Sequence, residues 1–99
     1  MTAPPRPQAV ATVLVDDAQL RVTRYDFAPG AETGWHVHGM DYVITTVTDC
    51  VLELELPGGE TTRSEVPAGS AYRRPVGTEH NVINGGEKAM SFVEVELKG

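Results

Sequence analysis

The chain has 99 residues, which is enough for one small domain but not for two, because two half-length cores would bury too little apolar surface to fold unaided. Its 40% hydrophobic and 22% charged residues are typical of a globular protein and exclude disorder along the whole chain. Fourteen acidic residues against eight basic ones give a net charge of −6, which argues against nucleic acid or an anionic membrane as a partner.

The N-terminal sequence MTAPPRPQ contains three prolines and no apolar periodicity. We therefore expect a poorly ordered tail over residues 1–8 and a single domain over residues 9–99. The tail has no apolar run of signal-peptide length. Cys50 is the only cysteine, so it cannot form a disulfide within the chain. Both observations favour a cytoplasmic protein.

From residue 9 onwards, apolar and polar residues alternate with a period of two, which predicts β-strands. Turns rich in glycine and proline separate these segments. The predicted strands cover residues 9–15, 20–28, 42–48, 51–56, 61–66, 70–74, 80–83 and 90–98. No window has the apolar period of an amphipathic helix. An all-β sandwich or barrel is therefore predicted, and closure is favoured because it removes exposed strand edges.

Three histidines, His36, His38 and His80, are the only ones in the chain. On a strand, the spacing of His36 and His38 puts both imidazoles on one face, where they can bind the same metal ion. Taken alone, that spacing is more typical of two solvent-facing or hydrogen-bonded histidines. Pro75 and Gly77 predict a tight turn, after which His80 can face the pair from a new strand.

Eight residues in two segments follow a fixed spacing. In the first segment Gly30 is followed by five residues and then by His36-x-His38. In the second, Gly69, Pro75-x-Gly77, His80 and Asn84 are separated by five, two and three residues. This pattern resembles the two motifs of the cupin superfamily. The resemblance implies a cupin-type double-stranded β-helix, or jelly-roll barrel, whose three histidines hold one divalent metal ion.

One position departs from the cupin pattern. The first motif ends in a glutamate ligand, which would stand at residue 42 or 43, but this chain has Tyr42 and Val43 there. Asp41 is the nearest carboxylate and a candidate ligand if a bulge at Gly39 turns it towards the histidines. The alternative is a solvated or turn-bonded aspartate. Imidazoles with at most one carboxylate suit iron, zinc, nickel, manganese or copper, and the sequence does not choose among them.

The segments around the motifs also contain candidate pocket residues. Arg73 and Arg74 alternate along a strand, so only one of them can face inward, where it would bind a carboxylate. The favoured alternative is a surface arginine that balances the charge of an acidic protein. Asn84 shares a strand face with His80, although a turn at Asn84-Gly85 is the competing interpretation. The predicted pocket residues are Trp35, Tyr42, Tyr72, Arg73 and Asn84.

The resemblance leaves several functions open, because the cupin fold and motif occur in proteins with different activities. One hypothesis is a metal-dependent enzyme of dioxygenase, lyase or isomerase type that acts on a small carboxylate-containing metabolite. Residues 41–43, 80–84 and 92–97 are similar to small cupins named for β-alanine degradation. The alternatives are a non-catalytic ligand-binding or regulatory module and a purely structural metal site. Small cupins commonly pair through their N-terminal strands, so the resemblance also implies a homodimer through residues 9–15.

Overall fold

The structure is a computed structural model that describes residues 5–99. This part of the chain contains nine β-strands, one short 3₁₀ helix (Pro57–Gly59) and no α-helix. The strands are β1 (Val10–Asp16), β2 (Leu20–Phe27), β3 (His36–Val37), β4 (Asp41–Thr46), β5 (Cys50–Glu55), β6 (Thr61–Val66), β7 (Ala71–Arg74), β8 (Glu79–Asn84) and β9 (Met90–Leu97). Within residues 5–99, no helix is both long enough and apolar enough to cross a membrane.

The strands form two antiparallel sheets. One sheet has five strands in the order β1-β2-β9-β4-β7, and the other has four in the order β3-β8-β5-β6. Strand β9 therefore lies between two strands from the first half of the chain, and β8 likewise lies between β3 and β5. This order brings residues that are distant in sequence onto neighbouring strands. The prediction of an all-β jelly roll is confirmed.

The core lies between the two sheets and consists of alternate residues of their strands. In β9, Met90 and Phe92 are almost fully buried, as is Leu52 in β5. The Phe92 ring packs against Phe27 and Tyr25 of β2, with ring centroids 5.3 and 5.5 Å apart. Aromatic contacts of this kind add stability beyond the burial of apolar area. This aromatic cluster packs β2 against β9.

The segment before β1 is hydrogen-bonded to the loop between β2 and β3. Residues 1–4 lie outside the described part of the chain, but the segment after them is held against residues 32–33. The Glu32 N–H donates to the Pro7 carbonyl at 2.9 Å, and the Ala9 N–H donates to the Glu32 carbonyl at 2.8 Å. The Gln8 side chain also donates to the Thr33 carbonyl at 2.8 Å. Residues 7 and 8 therefore have hydrogen-bond partners at residues 32 and 33, elsewhere in the sequence.

Candidate metal centre

The three histidines meet at one end of the space between the sheets. His36 on β3 is directly paired with His80 on β8. His38 follows β3 immediately. Its Nε2 lies 3.0 Å from Nε2 of His36 and 3.2 Å from Nε2 of His80. The predicted convergence of the three side chains is therefore present in the structure, with one potential ligand atom from each residue in a group no wider than 4.8 Å.

The turn of the second motif holds His38 in place. The His38 N–H donates to the Thr78 carbonyl, and the Gly77 N–H donates back to the His38 carbonyl, both at 2.8 Å. Gly77 has a φ of 89°, a left-handed conformation that favours glycine over residues with a side chain. The Thr78 hydroxyl closes the turn by donating to the Pro75 carbonyl. The Pro-x-Gly spacing of the motif thus fixes the backbone on both sides of the site.

The ring nitrogens of the histidines are oriented as a shared metal site requires. His36 Nδ1 lies 2.8 Å from the Gly34 carbonyl. A carbonyl can only accept, so Nδ1 donates to it, and Nε2 faces His38. Burial lowers the pKa of His38 to about 4, and the neighbouring His36 and His80 add to the shift. Burial and the nearby His36 and Arg74 likewise lower the pKa of His80 to about 4.

This arrangement fits a metal ion. Metal ligation requires neutral imidazoles, and His38 and His80 are neutral at pH 7. Nitrogens that lie about 2.1 Å from one metal, at right angles to each other, are about 3.0 Å apart, close to the distances between these Nε2 atoms. Bare nitrogens at this distance repel each other unless a cation or a proton lies between them. The three histidines can therefore hold a metal ion.

Asp41 does not join the histidines. Its Oδ1 accepts the Val76 N–H at 2.7 Å, and its Oδ2 accepts a hydrogen bond from Arg73 at 3.2 Å. These two contacts hold the pKa of the Asp41 carboxyl below its usual range. The expectation that Asp41 reaches the metal is therefore wrong, and the competing interpretation of a turn-bonded aspartate is correct. Asp41 is the first residue of β4, and the Asp41 side chain points to the turn before β8 rather than to the histidines.

A cavity of about 130 Å³ lies between the sheets and includes the histidines in its wall. An engineered protein cavity of about 150 Å³ accepts benzene, so this cavity suits a ligand with few non-hydrogen atoms. Both sheets contribute to the wall, which is mostly apolar or aromatic. The lining residues are Tyr25, Thr33, His36, His38, Tyr42, Ile44, Leu52, Leu54, Ser64, Val66, Tyr72, Arg74, His80, Val82, Phe92 and Glu94.

The predicted pocket tyrosines, Tyr42 and Tyr72, both line the cavity. The Tyr42 ring stacks on the His38 imidazole, with centroids 3.8 Å apart and planes 18° apart. The Tyr42 hydroxyl is buried and has no hydrogen-bond partner among residues 5–99. Burial, together with Glu94, raises the pKa of Tyr42 to about 12, so the phenol stays protonated. The Tyr42 ring thus forms part of the wall beside His38, while its hydroxyl is enclosed by protein.

Of the two adjacent arginines, the structure places Arg74 and not Arg73 at the cavity. Strand β7 alternates, so Arg74 shares the face of Tyr72 and its guanidinium lies 5.3 Å from the Tyr72 ring centroid. Arg73 points outward to Asp41. Arg74 is therefore the arginine at the cavity, with its side chain also exposed to solvent, and the predicted pocket residue Arg73 is not in the wall. The choice depends on the register of β7 against β4, which pairs Arg74 with Tyr42.

Two other predicted pocket residues lie elsewhere. Trp35 is half exposed, and its indole N–H donates to Glu79 at 2.9 Å on the outer surface. Asn84 is buried, but its amide donates to the Lys88 carbonyl and accepts the Gly86 N–H. The turn interpretation of Asn84 is therefore correct. Both residues are absent from the cavity wall.

Glu94 is the site residue that the sequence reasoning missed. It is 6% exposed, lies in the cavity wall, and places its Oε1 3.7 Å from His38 Nδ1. Burial raises the pKa of Glu94 to about 7, and the nearby Glu96 adds to the shift. Because His38 is neutral at pH 7, the contact is not an ion pair. The alternation of β9 contained the signal, since Glu94 shares a face with the buried Met90 and Phe92.

Comparison with known proteins identifies the family. A model of the cupin domain family matches residues 23–96. The chain belongs to the cupin family. This cupin is also 54% identical over 93 residues to the beta-alanine degradation protein BauB of Pseudomonas aeruginosa, covering 94% of this chain and 97% of that protein. The resemblance that the two motifs indicate is thereby confirmed.

Solved structures share the architecture. A crystal structure of a cupin domain from Bordetella pertussis has a TM-score of 0.92 and 45% sequence identity, covering 98% of this cupin and 100% of that chain. A Klebsiella pneumoniae protein with a double-stranded β-helix domain has a TM-score of 0.77 and 22% identity, covering 98% of this cupin and 83% of that chain. The second similarity concerns the fold alone. Together they support the jelly-roll assignment.

Proposed function

We propose that this cupin is a metal-dependent enzyme of dioxygenase, lyase or isomerase type that acts on a small carboxylate-containing metabolite. The observation that carries the proposal is the presence of the histidine cluster and Arg74 in the wall of one small cavity. A metal at the histidines and the nearby Arg74 guanidinium would give a small anion two points of attachment. The cytoplasm remains the predicted compartment.

Arg74 is the residue that would bind the carboxylate. Its guanidinium is held near the Tyr72 ring and is close enough to His80 to lower the pKa of that imidazole. A guanidinium offers two parallel N–H donors that match the two oxygens of a carboxylate. Arg74 thus binds and orients an acid next to the proposed metal.

The size of the cavity and the similarity to the beta-alanine degradation protein both favour a short acid. A cavity of about 130 Å³ has room for few non-hydrogen atoms. β-Alanine is itself a three-carbon carboxylate, so we propose a metabolite of its degradation as substrate. The apolar wall excludes water from that substrate. The bound metal, for which iron, zinc, nickel, manganese and copper are candidates, would supply Lewis-acid, hydrolytic or, in the case of iron, dioxygen chemistry.

The test begins with metal analysis of freshly purified protein and ends with ligand binding. We expect about one divalent ion per chain and loss of that ion in His80→Ala, which removes one imidazole. Metal-loaded protein is then titrated with short-chain carboxylates and assayed for turnover under air, with and without Fe(II). Arg74→Ala should weaken carboxylate binding roughly tenfold to a hundredfold, because a charge-assisted hydrogen bond is lost.

Arg73→Ala is the matched control, because it removes the neighbouring arginine on the opposite face of β7 and should leave carboxylate binding unchanged. Full metal content in His80→Ala would contradict the metal site. Equal effects of the two arginine variants would contradict the carboxylate site. Carboxylate binding without turnover of any acid would contradict the enzymatic proposal and support the alternative function, a ligand-binding or regulatory module.

A further inference from the structure

Glu94 lies behind His38 as seen from the other two histidines. His38 directs Nε2 at His36 and His80, so its second ring nitrogen, Nδ1, faces away from them. The Oε1 atom of Glu94 is 3.7 Å from that Nδ1. Both side chains are less than a tenth exposed, so water does not compete freely for either group. A buried carboxyl group thus stands on the outer side of a metal-site imidazole.

The position of Glu94 follows from the sheet order. Strand β9 lies beside β4, and the register pairs Glu94 with Ile44. Strand β4 also contributes Tyr42, whose ring covers the face of the His38 imidazole. The imidazole is therefore bounded on its face by an aromatic ring and at its Nδ1 edge by a carboxyl group. Tyr42 occupies the region where the cupin motif has its glutamate, while this carboxyl group comes from the last strand.

An imidazole that binds a metal through one nitrogen carries a proton on the other nitrogen, and that N–H almost always donates to an acceptor. The acceptor fixes the plane of the ring and makes the imidazole a stronger ligand. His36 already has such an acceptor in the Gly34 carbonyl. For His38, the Glu94 carboxyl group is in the corresponding position.

We propose that Glu94 is a positioning residue of the metal centre. Its carboxyl group accepts a hydrogen bond from the His38 Nδ1–H and thereby aims Nε2 at the metal. This inference rests on the proposed metal site. The 3.7 Å contact is longer than a hydrogen bond, so the carboxyl group has to move by about 0.5 Å or more when the metal binds. Glu94 acts on the outer edge of the ring and is not part of the group of potential ligands.

The test is the zinc affinity of three variants, measured by competition with a chromogenic chelator. Glu94→Leu removes the acceptor at similar side-chain volume and should weaken zinc binding by roughly tenfold to a hundredfold. Glu94→Gln keeps an oxygen that can accept the Nδ1 proton and should restore most of the affinity. Glu65→Leu is the control, because it removes an exposed carboxyl group on β6 outside the cavity wall, and it should stay within about twofold of the wild type.

A second measurement detects the proposed hydrogen bond between His38 Nδ1–H and Glu94 directly. In zinc-loaded wild type, the His38 Nδ1 proton should give a downfield, slowly exchanging NMR signal, which moves upfield in Glu94→Leu and returns towards its original position in Glu94→Gln. Wild-type zinc affinity in Glu94→Leu, or an unchanged His38 signal, would overturn the proposal. The wild-type spectrum decides the case even if the leucine variant does not fold. Absence of zinc binding in the wild type would instead contradict the metal site.

Discussion

The side chain of Asn84 closes the turn that follows β8. Its amide nitrogen donates to the Lys88 carbonyl at 2.8 Å, and its oxygen accepts the Gly86 N–H at 3.0 Å, with the residue 2% exposed. Asn84→Ala removes both hydrogen bonds of a buried side chain, so we expect the free energy of unfolding to fall by about 2 kcal/mol. Urea denaturation measures this loss.

The same variant separates a structural role from a role in the site. Because Asn84 does not line the cavity, Asn84→Ala should keep the metal content and carboxylate affinity of the wild type. Asn84→Asp serves as a second variant, since it replaces the donor towards the Lys88 carbonyl with an oxygen and should be no more stable than the alanine variant. A stable Asn84→Ala protein that has lost ligand binding would show that Asn84 takes part in binding the ligand.

The residues of the site differ in how far the sequence predicts them. The three histidines are predictable because short-range spacing relative to Gly30 and to the Pro75 turn places each one. Glu94 contacts His38 across 56 positions of sequence, and this contact exists only because β9 inserts next to β4. Single-strand alternation can mark such a residue as buried, but cannot name its neighbour.

At the level of strands, the sequence predicts where a strand lies better than it predicts which strands are neighbours in a sheet. Period-two alternation and glycine-proline turns locate eight of the nine strands to within two residues at either end, and β6 is predicted at its observed bounds, 61–66. The order of strands in the sheets depends on long-range contacts that no local pattern contains. The choice between Arg73 and Arg74 belongs to this second category, because it follows from the register of β7 against β4.

Asp41 connects the start of β4 to β7 and to the turn before β8. It is the first residue of β4, and it binds both Arg73 of β7 and the Val76 N–H in the turn that leads to β8. Asp41→Ala removes both contacts, so we expect a lower urea midpoint, with a smaller loss than in Asn84→Ala because this aspartate is exposed to solvent. The metal content should not change, since the carboxylate faces away from the histidines. Denaturation and metal analysis on the same sample test both statements.

Asp41→Asn provides the graded control for this prediction. The asparagine keeps an oxygen for the Val76 N–H and loses only the charge facing Arg73. Its urea midpoint should therefore lie between those of the wild type and Asp41→Ala. Loss of the metal in either variant would show that Asp41 moves into the site when the metal binds.

At the level of the whole molecule, β1 is the least covered part of the fold. It is an end strand of the five-stranded sheet and pairs only with β2. All seven of its residues are exposed, and Val10, Val13 and Leu14 each expose more than half of their surface. An end strand with exposed apolar side chains is a template for pairing with another chain. We propose that a second copy of this cupin covers β1 and forms a symmetric homodimer.

Light scattering after size-exclusion chromatography tests the homodimer. The wild type should elute with about twice the 10.7 kDa mass of the chain, while Val13→Lys should elute as a monomer, because a lysine on an end strand opposes pairing of strand edges. Val47→Lys is the control, since Val47 is also an exposed valine but lies outside β1, and this variant should remain dimeric. A monomeric wild type would exclude the proposal. A Val13→Lys dimer would instead require an interface elsewhere on the molecule.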